Sequence, residues 1–280
     1  MASETGISVE FYSSGYCTAH ERIVDPVNGK GACKFYAVWA LFQVPGIGWV
    51  MFDTGYGPSF WEATQKFPAR FYRWATPVFL KENESAKKIL ETKGIAPSDI
   101  KYIIISHFHA DHIGGLRDFP ETSFICSKSA NQQVKGKKGF GAVSKGILHG
   151  LLPEDYEKRL FYIDGFADRV EVNASGITVY RLFGQEELQL ILLPGHARGM
   201  LGFILQNDHR HMLYGTDASW FYSCYDQGIL PNQVVRIFFD SWNDFQITQM
   251  KIRAYENAHP EASILFTHCP ETLKYLDHAV

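Results

Sequence analysis

Short apolar runs rich in β-branched and aromatic residues recur along the chain, and turn residues separate them, which predicts a protein built largely from β-strands. The runs at 34–44 (KFYAVWALFQV) and 49–53 (WVMFD) are joined by PGIG and predict a hairpin, with which ISVEFY at 7–12 is expected to pair. The pair Asn207-Asp208 indicates a second hairpin. Further strands are predicted at YIIIS, LFYI, RVEV, ITVYRLF, LQLILL, LGFILQ, HMLYG and SILFT.

Two segments have the pattern of helices. Residues 83–93 (NESAKKILETK) predict one helix, with Asn83 as its N-cap and Gly94 as its stop signal. Residues 244–258 predict a second, longer helix near the end of the sequence.

Two other segments are less regular. Residues 57–80 are crowded with aromatic side chains but interrupted by prolines, which predicts short helical turns that either join the core or form a lid over a substrate. Residues 130–158 are rich in lysine and glycine and predict a mobile surface loop that leads to a helix near PEDYEKRL.

The succession of elements predicts one α/β domain spanning residues 1–280. A chain of this length can bury a sizeable core without disulfide bonds, and no internal repeat or low-complexity linker marks a domain boundary. Two groups of strands each come with helices, so we expect two sheets packed face to face with the helices outside.

Composition and charge narrow the class of protein. Hydrophobic residues make up 46% of the chain and charged residues 20%, as in ordinary globular proteins, and the net charge of −3 argues against a nucleic-acid partner. Five cysteines without paired short spacing indicate free thiols. The opening MASETGISVE lacks the pattern of a secretory signal, and no apolar run approaches the length of a membrane span. We therefore expect a cytoplasmic protein without a membrane span.

A dense group of metal-ligand residues follows YIIIS. The stretch HFHADHIGG at 107–115 holds three imidazoles and one carboxylate, and its two glycines permit a tight turn. In an extended segment His107 and His109 point to the same side and can bind one ion, whereas Asp111 and His112 lie past a bend and can face a second. Imidazole and carboxylate are the donors expected for zinc, iron or manganese.

Three more donors follow apolar strands later in the chain. His196 follows LQLILL, Asp217 follows HMLYG, and His268 follows SILFT. Each alone would be a routine polar residue at a strand end, but the repeated arrangement predicts that they complete the metal shells. Cys269, next to His268, is expected to be a bystander, since adjacent side chains on an extended strand point apart.

With these segments the sequence resembles the metallo-β-lactamase superfamily of metal-dependent hydrolases. SHFHADHIGG is similar to its signature loop, and PGHARG, GTDAS and FTHCPE are similar to its later ligand segments, in the expected order. The resemblance implies a four-layered αβ/βα sandwich of two mixed β-sheets with outer helices, and a site at the edge where the sheets meet. FDTG, with Asp53, resembles a supporting segment near that site, although a structural turn explains it equally well.

The resemblance also implies two divalent cations, with zinc as the first choice and iron or manganese as alternatives. One would be bound by His107, His109 and His196, the other by Asp111, His112 and His268, and Asp217 would bridge them. Two such ions acidify a shared water and so present hydroxide at neutral pH. Asp111 and Asp217 are the expected catalytic carboxylates, with Asp217 orienting the hydroxide and carrying a proton to the leaving group.

Within the superfamily the chain is most similar to the N-acyl-homoserine lactonases and their relatives, which implies hydrolysis of a lactone or similar ester with an apolar portion. Those enzymes commonly carry a tyrosine three residues after the bridging aspartate, where this chain has Trp220. Trp220 is therefore a candidate substrate-binding residue, and Tyr222 and Tyr225 are candidates for supplying the missing hydroxyl.

Other activities stay open at this point. A thioesterase of the glyoxalase II kind would call for basic residues late in the chain, where Lys251, Arg253 and Lys274 are present. Hydrolysis of another small ester or a phosphoester is a further alternative. A catalytically inactive metal-binding sensor is disfavoured because no expected ligand is missing. The expected partner is a small molecule, and the sequence leaves a homodimer open.

Overall fold

A computed structural model describes residues 6–277 of the chain. The two ends of the predicted domain, and half of the segment examined for a secretory signal, lie outside the described residues. Within them the strands are β1 (Ser8–His20), β2 (Ala32–Val44), β3 (Gly48–Phe52), β4 (Val78–Phe79), β5 (Ile100–Ile104), β6 (Ser123–Cys126), β7 (Leu160–Tyr162), β8 (Arg169–Val172), β9 (Thr178–Arg181), β10 (Leu188–Leu192), β11 (Leu201–Gln206), β12 (His211–Tyr214) and β13 (Ser263–Leu265).

The helices are mostly short. They are α1 (Ser59–Ala63), α2 (Ala69–Ala75), α3 (Ala86–Thr92), α4 (Ala110–Ile113), α5 (Lys128–Gly136), α6 (Gly139–Val143), α7 (Ile163–Phe166), α8 (Tyr222–Asp226) and α9 (Trp242–Ala258). None of these helices, taken over residues 6–277, combines the length and the hydropathy needed to cross a bilayer.

The strands form two mixed sheets. The first has the order β4-β1-β2-β3-β5-β6-β7, and the second has the order β13-β12-β11-β10-β9-β8. In the first sheet β1, β2 and β3 are antiparallel neighbours, as the two predicted hairpin runs require, whereas β3, β5, β6 and β7 run parallel. The second sheet is antiparallel except for its parallel pair β12 and β13.

Both faces of the first sheet are buried, and the alternation of side chains along β2 shows why. Val38, Ala40 and Phe42 face the second sheet, where they join a core that contains Phe203 and Tyr214. The intervening residues of β2 face the opposite way, into a second core formed with the helices on the outside of this sheet. A strand placed between two apolar layers must be apolar at successive positions, as residues 35–42 are.

The second sheet is covered in the same manner. Its inner face contributes to the core between the sheets, and its outer face packs against α9 through residues such as Ile191, Leu213 and Ile252. The order helix, sheet, sheet, helix is the four-layered sandwich that the sequence resemblance implies.

Strand direction brings the polar segments to one edge. The parallel strands β3, β5 and β6 end at the same edge of the first sheet. In the second sheet β10, β12 and β13 share one direction, because β11 runs antiparallel to both of its neighbours. The backbone amide of Leu201 donates to the carbonyl of Ser106 (3.0 Å) and joins the two edges directly.

Several local predictions were wrong. The α3 helix begins after Ser85, whose Oγ accepts a hydrogen bond from the Lys88 amide, so Ser85 and not Asn83 is the N-cap, while Gly94 does follow the helix end with a left-handed φ of 75°. The segment 130–158 is not an irregular loop, because α5 and α6 occupy much of its first half. The segment PEDYEKRL forms only a single turn of 3₁₀ helix.

The core between the sheets should carry much of the stability. Phe203 is fully buried against Phe42, Phe52 and Tyr214, so we expect Phe203→Ala to lower the free energy of unfolding by about 3–5 kcal/mol. Urea titration measures this change. The same substitution at Phe161, which is 44% exposed, is the control and should cost less than half as much. Equal losses for the two variants would contradict the assignment of the core.

Candidate metal centre

The first group of donors lies on the loop that leaves β5. His107 is buried on the loop after this strand, and His109 occupies the N-cap position of α4 with extended backbone angles. Asp111 and His112 follow on the first turn of α4. Gly146 lies against the His109 ring, and a Cβ there would come within 2.4 Å of His109 Cδ2, so this glycine leaves the room that the imidazole occupies.

The second group comes from the carboxyl ends of β10, β12 and β13. Gly195 turns the chain before His196 with a φ of 133°, and a Cβ at Gly195 would come within 2.2 Å of the backbone nitrogen of Phe245. Thr216 precedes Asp217 and has a φ of 47°, which is unusual for a β-branched residue. His268 follows β13. Asp217, His196 and His268 are all buried.

One set of donors surrounds a single point. The ligand atoms of His107, His109, His196 and Asp217 lie within 4.8 Å of one another. His196 Nε2 is 3.0 Å from His109 Nδ1 and 3.2 Å from Asp217 Oδ2. Neighbouring ligands in a tetrahedral shell with metal–nitrogen bonds of about 2.1 Å lie about 3.4 Å apart, so this spacing suits one ion.

The other set lies beside the first. Asp111, His112 and His268 also offer atoms within 4.8 Å of one another. His268 Nε2 is 3.4 Å from Asp111 Oδ2 and 3.1 Å from Asp217 Oδ2, and His112 Nε2 is 3.4 Å from Asp217 Oδ1. Asp217 therefore contacts both sets.

Three buried donor atoms show that the donor set fits metal ions. His107 Nε2, His112 Nε2 and Asp217 Oδ1 have no hydrogen-bond partner within the described part of the chain, although all three are buried. Leaving a buried polar atom without a hydrogen bond costs about 1–3 kcal/mol, so three such atoms in one cluster would strongly destabilise a purely structural site. Divalent cations would satisfy these atoms together, so the side chains fit two metal ions.

The electrostatics favour the same chemistry. Burial lowers the pKa of His107 well below its usual value and that of His196 to about 3, so both imidazoles are neutral and can act as ligands. Burial alone would raise the pKa of Asp217, but His268 and His112 outweigh it and hold that pKa well below the usual range. Asp217 is therefore an ionised carboxylate among imidazoles.

Asp53 orients one of these ligands. Its Oδ2 lies 2.7 Å from His112 Nδ1 and accepts from Ser106 Oγ at 2.7 Å, while Oδ1 accepts from the Ser106 amide at 2.8 Å. A carboxylate that accepts the Nδ1 proton leaves His112 Nε2 free to face an ion. FDTG thus supports the site, and the backbone of Asp53 has a φ of 62° there. His268 is oriented likewise, since its Nδ1 lies 2.9 Å from the carbonyl of Tyr36.

A cavity of about 680 Å³ opens above the donors. His109, Asp111, His196, Asp217 and His268 contribute to its floor. Its walls are mostly apolar and include Phe35, Tyr56, Phe71, Trp220, Phe238 and Phe239. The volume is in the range of drug-sized ligands, so the cavity can enclose a small molecule with an apolar part.

The structure places only one of the three candidate substrate-binding residues in the cavity. Trp220 lines the cavity and packs edge-on against Phe35. Tyr222 and Tyr225 are not among its lining residues, and their hydroxyls instead donate to the two carboxylate oxygens of Glu256 at 2.8 and 2.9 Å. The expectation that one of these tyrosines supplies a hydroxyl at the site is therefore corrected, because Glu256 on α9 holds both outside the cavity.

The segment 57–80 contributes both to the core and to the lining of the cavity. Phe60 is fully buried in the core, whereas Phe71 and Tyr72 line the cavity. Tyr56 was not among the site residues predicted from the sequence. It is fully buried, lines the cavity, and has a hydroxyl without a hydrogen-bond partner among the described residues. The position of Tyr56 directly after FDTG is the sequence feature that could have indicated a role in the site.

Other sequence candidates lie elsewhere. Within the described chain, Lys251, Arg253 and Lys274 are absent from the cavity lining, and Arg253 is occupied by Asp226 and Glu256. Cys269 donates to Glu271, and burial raises the pKa of its thiol to about 12, so it is a poor nucleophile, as expected.

Comparison with known proteins gives consistent matches. The sequence profile of the metallo-beta-lactamase superfamily matches residues 34–238. A probable metallo-hydrolase of Mycobacterium bovis is 26% identical over 241 residues, which are 80% of this chain and 72% of that protein. N-acyl homoserine lactonase AttM of Agrobacterium fabrum is 25% identical over 199 residues, or 70% of this chain and 67% of that one.

A solved structure agrees in fold. An N-acyl homoserine lactone hydrolase with the product N-hexanoyl-L-homoserine bound at its catalytic metal centre superposes with a TM-score of 0.69 at 20% identity, covering 95% of this chain and 94% of that chain. The predicted sandwich of two mixed sheets with outer helices is confirmed.

The contact between Asp53 and His112 yields a test. Asp53→Asn removes the carboxylate but keeps a residue type that tolerates a positive φ, so the backbone should be retained. We expect the affinity for zinc to fall about 10- to 100-fold, because His112 loses its orientation. Competition with a chromophoric chelator measures the affinity. Asp208→Asn, on an exposed hairpin, is the matched control, and equal zinc retention by both variants would refute the role of Asp53.

Proposed function

Because the chain belongs to the metallo-beta-lactamase superfamily, we propose that it is a metal-dependent hydrolase that opens N-acyl-homoserine lactones or closely similar lactones. The observation that carries this proposal is the meeting of two sets of metal donors at Asp217, on the floor of an apolar cavity. The lactonase among the sequence relatives and the lactone hydrolase among the solved structures support the choice of substrate class.

The ligands divide between two cations, for which zinc is the first candidate and iron or manganese the alternatives. One cation would be held by His107, His109 and His196, the other by Asp111, His112 and His268, and Asp217 would serve both. When bound, such ions polarise a carbonyl group and acidify water, which is the chemistry that ester hydrolysis needs.

The carboxylates of the chain handle the protons. Asp217 is ionised and lies between the two sets, where it can orient the attacking water. Asp111 reaches the cavity as Asp217 does, so either carboxylate can carry a proton from that water to the ring oxygen that leaves. Ring opening then gives a carboxylate and a hydroxyl, with no organic cofactor required.

The cavity walls favour a substrate with an acyl chain. Phe71, Val143 and Phe239 present apolar surface above the donors, and burying such surface against a hydrocarbon chain is favourable by about 25 cal/mol per Å². The thioesterase alternative is not supported, because the basic residues on which it depends do not line the cavity in the described structure.

Tyr56 is the residue best placed to hold the lactone carbonyl. Lactonases of this kind commonly use a tyrosine at the position that Trp220 occupies, and Trp220 can donate only from its indole nitrogen. Tyr56 offers a buried hydroxyl within the same cavity, and that hydroxyl has no hydrogen-bond partner in the described structure. We propose that its O–H donates to the substrate carbonyl.

Tyr56→Phe tests this assignment with a minimal change. Removing one hydrogen bond to the reacting carbonyl should lower kcat/KM about 10- to 100-fold while zinc content stays the same. Steady-state lactone hydrolysis and metal analysis give the two quantities. Tyr222→Phe, whose hydroxyl binds Glu256 instead, is the matched control and should retain the parental kcat/KM. Parental activity of Tyr56→Phe would exclude Tyr56 from carbonyl binding.

The reaction itself is tested by a substrate panel. The zinc-containing protein should hydrolyse N-acyl-homoserine lactones in preference to glutathione thioesters and phosphodiesters, with kcat/KM rising as the acyl chain lengthens. His109→Ala removes one ligand and should abolish turnover, whereas His209→Ala, on an exposed hairpin, should not. A thioester preference would overturn the lactone assignment, and full activity of His109→Ala would overturn the metal-dependent mechanism.

A further inference from the structure

A group of large apolar side chains is exposed around the mouth of the cavity. They come from the segment around α2, from α6, and from the 3₁₀ turn at Gln233–Ile237. Their exposed fractions lie between 45% and 70%, although water is an unfavourable environment for them. We call this group the aromatic rim, and its members are Phe67, Phe71, Trp74, Phe140, Ile237 and Phe238.

Four of the six members of the aromatic rim pack against one another. The ring centroid of Phe71 lies 4.8 Å from that of Phe67, 5.7 Å from that of Trp74 and 5.8 Å from that of Phe140. Lys145, which follows α6, links the α6 segment to the 3₁₀ turn at Gln233–Ile237, because its Nζ donates to the carbonyl of Ile237 at 2.7 Å. Phe71, Phe140 and Phe238 also line the cavity, so the rim leads directly into it.

The three segments that carry the rim are strongly basic. Residues 64–76, 135–146 and 233–238 contain eight lysine or arginine residues and no aspartate or glutamate, although the chain as a whole has a net charge of −3. Lys135 is paired with Glu157 and Lys145 is bound to backbone carbonyls. The remaining positive charges lie on the same three segments as the apolar side chains, and Arg70 lies over the rings of Phe67 and Trp74. They are Lys66, Arg70, Arg73, Lys137, Lys138 and Arg236.

An anionic bilayer matches this combination best. Aromatic side chains are favoured at the boundary between lipid headgroups and acyl chains, and lysine and arginine are attracted to anionic headgroups. A soluble polyanion would match the charge but leave Phe67, Ile237 and the other apolar side chains in water. A second copy packed rim to rim would bring like charges together, because a two-fold interface places the same patch on both sides.

We propose that the aromatic rim docks this protein onto anionic phospholipid membranes, with the mouth of the cavity held against the lipid. An acylated substrate dissolved in the membrane would then reach the cavity without crossing water. Docking itself does not depend on the proposed lactone hydrolysis, so the two can fail independently.

Vesicle sedimentation tests the docking. The zinc-containing full chain is mixed with vesicles of phosphatidylcholine alone or of phosphatidylcholine with about one third phosphatidylglycerol, which supplies anionic headgroups. We expect binding to the anionic vesicles that weakens as salt increases, and at least about tenfold weaker binding to the neutral ones. Equal binding to both kinds of vesicle would contradict the charge argument.

Two variants separate the apolar and the charged contributions. Phe67→Ser with Trp74→Ser removes exposed apolar side chains that do not line the cavity. Arg70→Glu with Arg73→Glu reverses two exposed charges on α2, of which Arg70 lies over the rings of Phe67 and Trp74. Each pair should weaken binding to anionic vesicles at least about tenfold. Hydrolysis of a short, water-soluble substrate should be unchanged, which shows that the variants are folded.

The matched control reverses two exposed charges elsewhere. Lys101→Glu with Lys274→Glu makes the same change in net charge away from the rim and should leave vesicle binding within about twofold of the parent. Binding lost equally in the control would mean that only net charge matters. Failure to bind vesicles, accompanied by dimerisation in ultracentrifugation or by binding to a soluble polyanion such as heparin, would overturn the proposal in favour of those partners.

Discussion

The Asp217 carboxylate is the group on which the rest of the site depends, because it is buried, ionised and in contact with both sets of metal donors. A buried charge without partners is strongly unfavourable. The fold meets this cost by surrounding the carboxylate with imidazoles, and His196 Nε2 and His268 Nε2 both lie close to the same oxygen. The cavity, the orienting residues and the proposed chemistry all follow from this arrangement.

Two residues next to or among the metal donors have strained backbone conformations. Asp53 and Thr216 both have a positive φ, and each lies next to or among the residues that build the site. Thr216 is fixed by its hydroxyl, which donates to the carbonyl of Leu201, and Asp53 is fixed by Ser106 and His112. Such conformations cost about 1–3 kcal/mol each and persist where the surroundings over-determine them. Two of the three non-glycine residues with a positive φ in the described structure therefore lie at the edge where function is proposed, and the third is Phe183.

Much of the fold and the donor set followed from the sequence, since apolar runs identify strands and donors placed directly after strands of one direction must meet at one edge. Features that depend on contacts between distant segments did not follow. Nothing local in residues 130–158 reveals that Gly146 packs against His109. The spacing of tyrosines after Asp217 could not show that Glu256 binds the hydroxyls of Tyr222 and Tyr225. Nothing in the sequence around Tyr56 indicated that its hydroxyl lacks a hydrogen-bond partner in the described structure.

The donors belong to two sheets whose strands are far apart in sequence, and this has a consequence for how the protein is made. His107 and His109 are synthesised well before His268. The backbone hydrogen bond from Leu201 to Ser106, which aligns the two edges, also needs the later half of the chain. The donor set that contains His268 is therefore complete only after β13 has paired with β12, so contacts of high sequence separation control its maturation. During synthesis, the early histidine loop is an incomplete chelator.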